Sequence, residues 1–237
     1  TSGVYSQYQG GTIVVSQDND APEGAIESAE KALKDTNGVT AIKHMAQWPV
    51  VAQTDTTRGG LYVSPLAPKP FAEPVLSAGT APTADDQIII PESTASSLSL
   101  KVGDTLKVRS GFTEGDYRTL TIVGTTRSNT ISMGIPASYV TDGGFSAIFG
   151  STASGKFIVA TSGTDADSNE NPPEATQDEW VAKANSALSD ISGVSVTSVR
   201  EAITKDLDQA RLGASVTTGI MLIFPAIAAL VASIVVS

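Results

Sequence analysis

The chain has 237 residues, 15 Lys and Arg against 25 Asp and Glu, a formal net charge of −10, one His and no Cys. Phosphate contacts need clustered Lys and Arg, so an acidic chain without a basic block is excluded as a nucleic-acid binder. The Cys and His counts exclude disulfide scaffolds, thiol nucleophiles, Cys-based zinc sites and multi-His metal centres. The length suits one or two domains with a sizeable core, and 21 Gly with 12 Pro predict many turns.

In chain order, Thr12–Ser16 is rich in β-branched residues and reads as a strand. Asp20, with Pro22 early in the next segment and Glu23 three positions on, is expected to cap a helix. Ala25, Ile26, Ala29, Ala32 and Leu33 give that helix an apolar stripe. Asn37-Gly38 stops it, and a second strand is expected from Val39 to about Met45. The Pro-rich stretch Ser64–Pro74 reads as a linker into a region of different texture. There Gln87–Ile90 is a strand halted by Pro91, Glu92–Leu98 one or two helical turns, and Val102-Gly103-Asp104 a turn. Thr105–Val108 and Tyr117–Val123 alternate as strands, and the region ends near Arg127–Met133. The Gly-rich Asp142–Phe149 fits either class.

The strand–helix–strand pattern then recurs. Gly11–Val15 matches Gly155–Val159 at an offset of 144, and Asp35–Ile42 (DTNGVTAI) matches Asp190–Thr197 (DISGVSVT) at an offset of 155. In the second copy Thr176 and Glu179 make a capping box, Val181, Ala184, Leu188 and Ile191 a stripe, Ser192-Gly193 a stop, and Val194–Val199 a strand. Two βαβ units predict an α+β fold, with a ferredoxin-like subdomain interrupted by an inserted β-rich subdomain. The expected divisions are 1–70 and 130–211 for the two halves, 71–129 for the insert and 212–237 for a membrane helix. The two first strands are expected in one sheet, and residues 75–125 in a lobe with little contact to helices.

Arg200–Arg211 reads as a polar helix with Ile203, Leu207 and Ala210 on one side. Leu212–Ser237 follows, 26 residues without a charge. About 20 apolar residues span a bilayer core, so this run is long enough, and membrane helices tolerate Pro225 better than soluble ones do. With no initiating Met or signal peptide, the sequence reads as a piece of a larger membrane protein.

Several motifs fall short of their chemistry. Gly150–Lys156 has the Walker A spacing, but Phe157 stands where Ser or Thr holds magnesium, and a strand follows where a helix N-terminus is needed. Asp165, Asp167 and Asn169 begin like an EF-hand loop, but Glu170 replaces the Gly and Thr176 the final Glu. The acidic loop 165–179, with Asp165, Asp167, Glu170, Glu174, Asp178 and Glu179, reads as a solvated loop without a base, with a weak calcium site as the alternative. Ser28 and Lys31 have SxxK spacing but lie mid-helix without SDN or KTG, and are expected to face water. His44 reads as a packed or surface residue, Asp85-Asp86 as diverging carboxylates on a turn, and Trp48 and Trp180 as core or interface residues. No catalytic, cofactor-binding or metal-binding residue is assigned, and no cofactor is expected.

The middle segment, from Pro74 and Gly79 through Ile88–Pro91 and Ala95 to Leu98–Asp104 (LSLKVGD), then Ile122-Val123-Gly124, resembles the extracytoplasmic core domain of MacB, FtsX and LolC/LolE-like ABC transporter permeases. The order of features extends the resemblance over essentially the whole chain. The resemblance implies one membrane helix before Thr1 and three after the domain, with residues 217–237 in the second. It implies a non-catalytic domain outside the membrane, periplasmic or extracellular. ATP hydrolysis would belong to a separate ATPase subunit or domain, and a second permease copy or paralogue and an extracytoplasmic protein or substrate would be the partners. The function so implied is to relay ATP-driven movement of membrane helices outward. The alternative is a single-pass membrane-anchored surface binding protein.

Overall fold

The structure is a computed structural model that describes residues 8–71, 73–112, 115–127, 131–132, 135–150, 154–162 and 170–209. The expected membrane helix at 212–237 lies outside these residues. Among the described residues no helix is long and apolar enough to cross a membrane.

The chain is α+β with two sheets. The first has four strands: β1 (Ile13–Gln17), β2 (Val39–His44), β11 (Lys156–Thr161) and β12 (Val194–Ser198). Their order is β12-β1-β11-β2, every neighbouring pair antiparallel. The two copies of the repeat therefore interleave, and their first strands pair directly, Ile13 opposite Val159 and Val15 opposite Phe157.

Side chains alternate across a strand with period two, and both faces of this sheet are covered. Ile13, Val15, Phe157 and Val159 face helices α1 (Ala25–Lys34) and α4 (Glu174–Ala187), where they pack on Ile26, Ala29, Leu33, Trp180, Ala184 and Leu188. Val14, Ile158 and Ala160 face the other way, onto Tyr8, Phe71 and a helix α5 through 199–209 that contributes Val199, Ala202 and Ile203. The stripes expected at Ala184/Leu188 and Ile203/Leu207 are the faces that pack here, with Val181, Ile191 and Leu207 partly buried beside them.

The expected caps are not the observed ones. Helix α1 begins at Ala25 behind Gly24, which has φ 78° and no side-chain cap; Asp20 falls in a turn before it. Ala25 N–H instead bonds the Pro22 carbonyl, so the chain turns once more before the helix starts. Helix α4 begins at Glu174, two residues before Thr176, behind Pro173 and again with no side-chain cap. Gln177, buried inside α4, donates to the Pro172 carbonyl at 2.8 Å and accepts from Arg200 N–H at 3.0 Å, tying the starts of α4 and α5 together.

The second sheet has eight strands: β3 (Trp48–Gln53), β4 (Arg58–Pro65), β5 (Leu76–Gly79), β6 (Gln87–Pro91), β7 (Thr105–Ser110), β8 (Arg118–Thr126), β9 (Ile131–Ser132) and β10 (Ile135–Val140). The path β4-β3-β7-β8-β6-β10 closes on itself because β10 also pairs with β4, in parallel, from Ala137/Tyr62 to Val140/Pro65. Closure leaves none of these six strands with an unpaired side. The interior holds Val50, Leu61, Val63, Ile88, Ile90, Leu106, Val108, Leu120, Ile122 and Val140.

This sheet reaches well past 71–129, taking β3 and β4 from before that segment and β10 from after it. Nor is it bare of helices. Ala95 of α2 (Glu92–Ser97) and Phe145 of α3 (Asp142–Phe149) are part of its core. The ambiguous Asp142–Phe149 is helical because Thr141 caps it, accepting from Gly144 N–H at 3.0 Å, and Gly150, with φ 83°, ends it.

Ile158 is fully buried on a central strand and touches the layer that holds α5. Ile158→Ala is expected to cost about 2–5 kcal/mol, through lost transfer energy and the cavity left behind. Urea titration followed by far-UV circular dichroism measures it; a loss below about 1 kcal/mol would contradict the packing described.

Candidate functional site

The residues singled out in the sequence do not converge. Ser28 and Lys31 are both exposed on α1, as expected. Asp85 accepts from Thr141 Oγ1 at 2.6 Å, so it supports the cap of α3, and Asp86 uses its carbonyl to receive Thr121 N–H. Trp48 packs against Phe145 and Phe149, and Trp180 lies in the core under α4. Gly150 ends α3 and Lys156 opens β11, while residues 151–153 between them lie outside the described residues. Of the acidic loop, 163–169 is outside them as well. Glu174 is not without a base: Arg200 Nη2 sits 2.8 Å from its Oε1. Among the described residues no three His, Cys, Asp or Glu side chains form a group able to hold a metal ion.

A cleft of about 230 Å³ opens between Arg109, Ser110, Asp116, Arg118 and Ile148. That is below the ~300 Å³ at which small-molecule pockets begin, and its charges are mixed in sign. The polar groups that the fold does concentrate lie on the two faces of the four-stranded sheet.

On the α1 face, His44 at the end of β2 donates from Nε2 to Glu30 Oε1 at 3.1 Å, and Lys34 approaches the same oxygen at 2.6 Å. His44 also meets the Phe157 ring edge-on, centroids 5.9 Å apart. It is therefore packed, as expected, but its Nδ1 is buried without a partner among the described residues. The hydrogen bond from His44 and the Lys34 ammonium hold the Glu30 carboxyl at about 2, against the opposing effect of burial. Asp142 at the start of α3 comes within range of the same charges: burial raises its carboxyl, His44 pulls it back and Glu30 pushes it up. This cluster is where the two sheet units meet electrostatically.

On the α5 face, alternation places Lys43 and Lys156 among apolar neighbours. Burial lowers the Lys43 ammonium to about 8, and its Nζ stands 5.9 Å from the centroid of the Phe71 ring. Lys156 Nζ donates to Tyr8 Oη at 2.6 Å, and Tyr8 Oη donates to Asp206 Oδ2 at 2.6 Å. Lys156 Nζ is also 3.8 Å from Asp206 Oδ1 and 5.2 Å above the Tyr8 ring. Burial foremost, with the Asp206 carboxylate added, holds the Tyr8 phenol far above its usual range, and burial lowers the Lys156 ammonium. The strand alternation around Lys156 was visible in the sequence, but its partners were not, because Tyr8 and Asp206 come from opposite ends of the chain.

Two of these groups carry pH signatures of opposite sense. Glu30 titrates below its usual value, so its contribution is complete above about pH 4.5 and lost as pH falls through about 2. Glu30→Gln is expected to lower stability by about 2 kcal/mol between pH 5 and 7 and to match the parent chain below pH 2; an undiminished gap at pH 1.5 in denaturant titrations would refute the pairing. Lys43 titrates at about 8, so between there and 10.5 the folded chain holds fewer protons than the unfolded one, and stability rises with pH. Lys43→Met is expected to stabilise by about 2 kcal/mol at pH 7, an advantage that shrinks above pH 8 and is gone near 10.5. A constant gain across that range would show that burial of the charge is not its source.

No family model matches the sequence, and no curated protein matches it. Solved structures do match the fold. The extracellular domain of YknZ, an ABC-type transporter of Gram-positive bacteria, aligns with a TM-score of 0.52 at 16% identity, over 78% of this chain and 98% of that one. The periplasmic region of MacB from Actinobacillus actinomycetemcomitans aligns with a TM-score of 0.52 at 12% identity, over 86% of this chain and 97% of that one. Both alignments take in nearly the whole of the other domain. The chain thus has the fold of the extracytoplasmic domains of MacB-type ABC transporter permeases.

Proposed function

We propose that the chain is the outside-facing domain of an ABC transporter permease subunit, and that it relays movement of membrane helices to a substrate or protein partner outside the membrane. The observation that carries this reading is the fold-wide likeness to the YknZ and MacB domains at nearly full coverage of both. The Tyr8–Asp206 hydrogen bond of 2.6 Å supports it as well, since it sets the segment that enters β1 beside helix α5.

On this reading the four-stranded unit is a ferredoxin-like subdomain built from two split βαβ halves, and its strand order β12-β1-β11-β2 supports that assignment. The closed β-rich unit is an insertion into it, with boundaries near Met45 and Lys156. Leu212–Ser237 is the start of a membrane helix, by its apolar length. The domain contributes no catalytic group; a separate ATPase subunit or domain hydrolyses ATP, and a second permease copy or paralogue completes the transporter.

The parent protein tests this. Phe112 is 65% exposed on the β-rich unit, and the chain has no native Cys to compete for label. In intact cells Phe112→Cys is expected to react with a membrane-impermeant maleimide without permeabilisation. In the reconstituted transporter, a spin label there is expected to change its distance to one on the second copy when ATP binds. Labelling only after permeabilisation would overturn the placement. Labelling from outside with no nucleotide-dependent distance would favour the anchored surface binding protein.

A further inference from the structure

We infer that Tyr8, Lys156 and Asp206 form a joint fastening the segment that enters β1 and the helix α5 to the middle of the four-stranded sheet, so that the two move as one body. Lys156 is its positioning residue, and the inference rests on the relay reading only for its use. The three side chains come from three separate stretches: the residues before β1, the first residue of β11 and the last described turns of α5. Their geometry is closed. A phenol has one proton to give and lone pairs to receive; Tyr8 gives its proton to Asp206 and receives from Lys156, while Lys156 also faces Asp206 at 3.8 Å.

Packing does not by itself demand these groups. Ile158 and Ala160, the next residues of β11 on the same face, are fully buried, and Tyr8 itself is 0% exposed. An apolar residue at 156 would extend that layer at no desolvation cost. Buried polar and ionic groups are often matched or bettered in stability by apolar ones, and they specify a geometry that greasy contacts leave adjustable. Here the specified geometry is the position of α5 relative to Tyr8 and the segment that enters β1. Tyr8 is locked as a neutral donor, since burial and Asp206 keep its phenol protonated far above the usual range. A shear of α5 by one turn would strand all three groups at once.

The test uses the full 237-residue chain without nucleotide or ATPase, so it can fail while the relay reading stands, and the reverse. Nitroxides are placed at Gln9→Cys and Gln209→Cys, both exposed positions in a chain without other Cys. The parent background is expected to give one narrow distance. Tyr8→Phe, Asp206→Asn and Lys156→Met are each expected to broaden it, and Lys156→Arg to keep it narrow. Amide exchange adds a readout that local structure alone would not move. Asp206→Asn is expected to speed exchange near Gly11 and Thr12, and Tyr8→Phe to speed exchange in 203–209, each by about tenfold, the worth of a hydrogen bond to a charged group. Protection in β6 is expected to stay unchanged in both. A distance that remains narrow in all three variants, or exchange that rises only in the segment carrying the substitution, would overturn the joint. Where Lys156→Met also loses β6 protection, Tyr8→Phe decides, because it removes a single hydroxyl.

Discussion

The antiparallel pairing of β1 with β11 is the constraint on which the remainder depends. It sets Ile13 against Val159 across the middle of the four-stranded sheet, although the two lie in the first and last thirds of the chain. Thr12 and Thr161 extend it with a buried hydroxyl–hydroxyl contact of 2.8 Å. Gly11 lets the strands approach, since a Cβ there would run into the Ile158 side chain. Once this pair is fixed, β2 and β12 add on the outer sides, and each repeat contributes one helix to the same face. The chain that leaves at Met45 must return at Lys156, and Met45 N–H bonds the Lys156 carbonyl at 3.0 Å. The β-rich unit is thereby inserted with its two connections side by side, an arrangement that disturbs the host sheet little.

Much of this was legible because it is local. Strands β1, β6, β7 and β8 announce themselves by β-branched runs and alternation, and the apolar stripes of α1, α4 and α5 point to the faces that are in fact buried. The repeat was legible because both copies must solve one packing problem. The caps misled because Asp20 and Thr176 have the right chemistry in the wrong backbone conformation, the turns before each helix being closed by backbone bonds and by Gln177. The hairpin of β3 and β4 carries no clear local signal. Its interior residues Val50, Ala52, Leu61 and Val63 alternate, but with Pro49, Gly59 and Gly60 among them the pattern looks like loop until the closing partners β7 and β10 are known. The polar groups at Tyr8, Lys156 and Asp206 were beyond local reading altogether, since Lys156 in isolation looked like the end of a phosphate loop.

A sheet buried on both faces explains why its charged residues deviate most. Lys43 and Lys156 lie on neighbouring strands, on the side toward α5, where the alternation of their strands dictates burial. Each has a different remedy. Lys43 rests over Phe71, and Lys156 reaches Tyr8 and Asp206. On the opposite face, Glu30, Lys34 and His44 form a compact pair-and-relay of charge at the edge nearest α3. Among the described residues, two polar clusters thus flank the sheet, one toward Tyr8 and α5 and one toward the β-rich unit.

That division has a mechanical consequence for a relay. On the proposed relay, a displacement arriving along α5 would act first on the layer of Val199, Ala202 and Ile203, then on β1 and β11, because these are its neighbours in the core. Close-packed interiors transmit strain and do not absorb it, and a sheet with every inner strand paired on both sides has little freedom to shear. The contacts between the two units include Glu30 and His44 in range of Asp142 on one face of the sheet, and Phe71 packed on the α5 layer on the other. Asp142 is the first residue of α3, which presents Phe145 and Phe149 to Trp48. On the proposed relay, helix α3 is one element through which a tilt of the four-stranded unit would be felt by the closed sheet, beside the segment through Phe71, and its aromatic set reaches Phe112, the most exposed large apolar residue described.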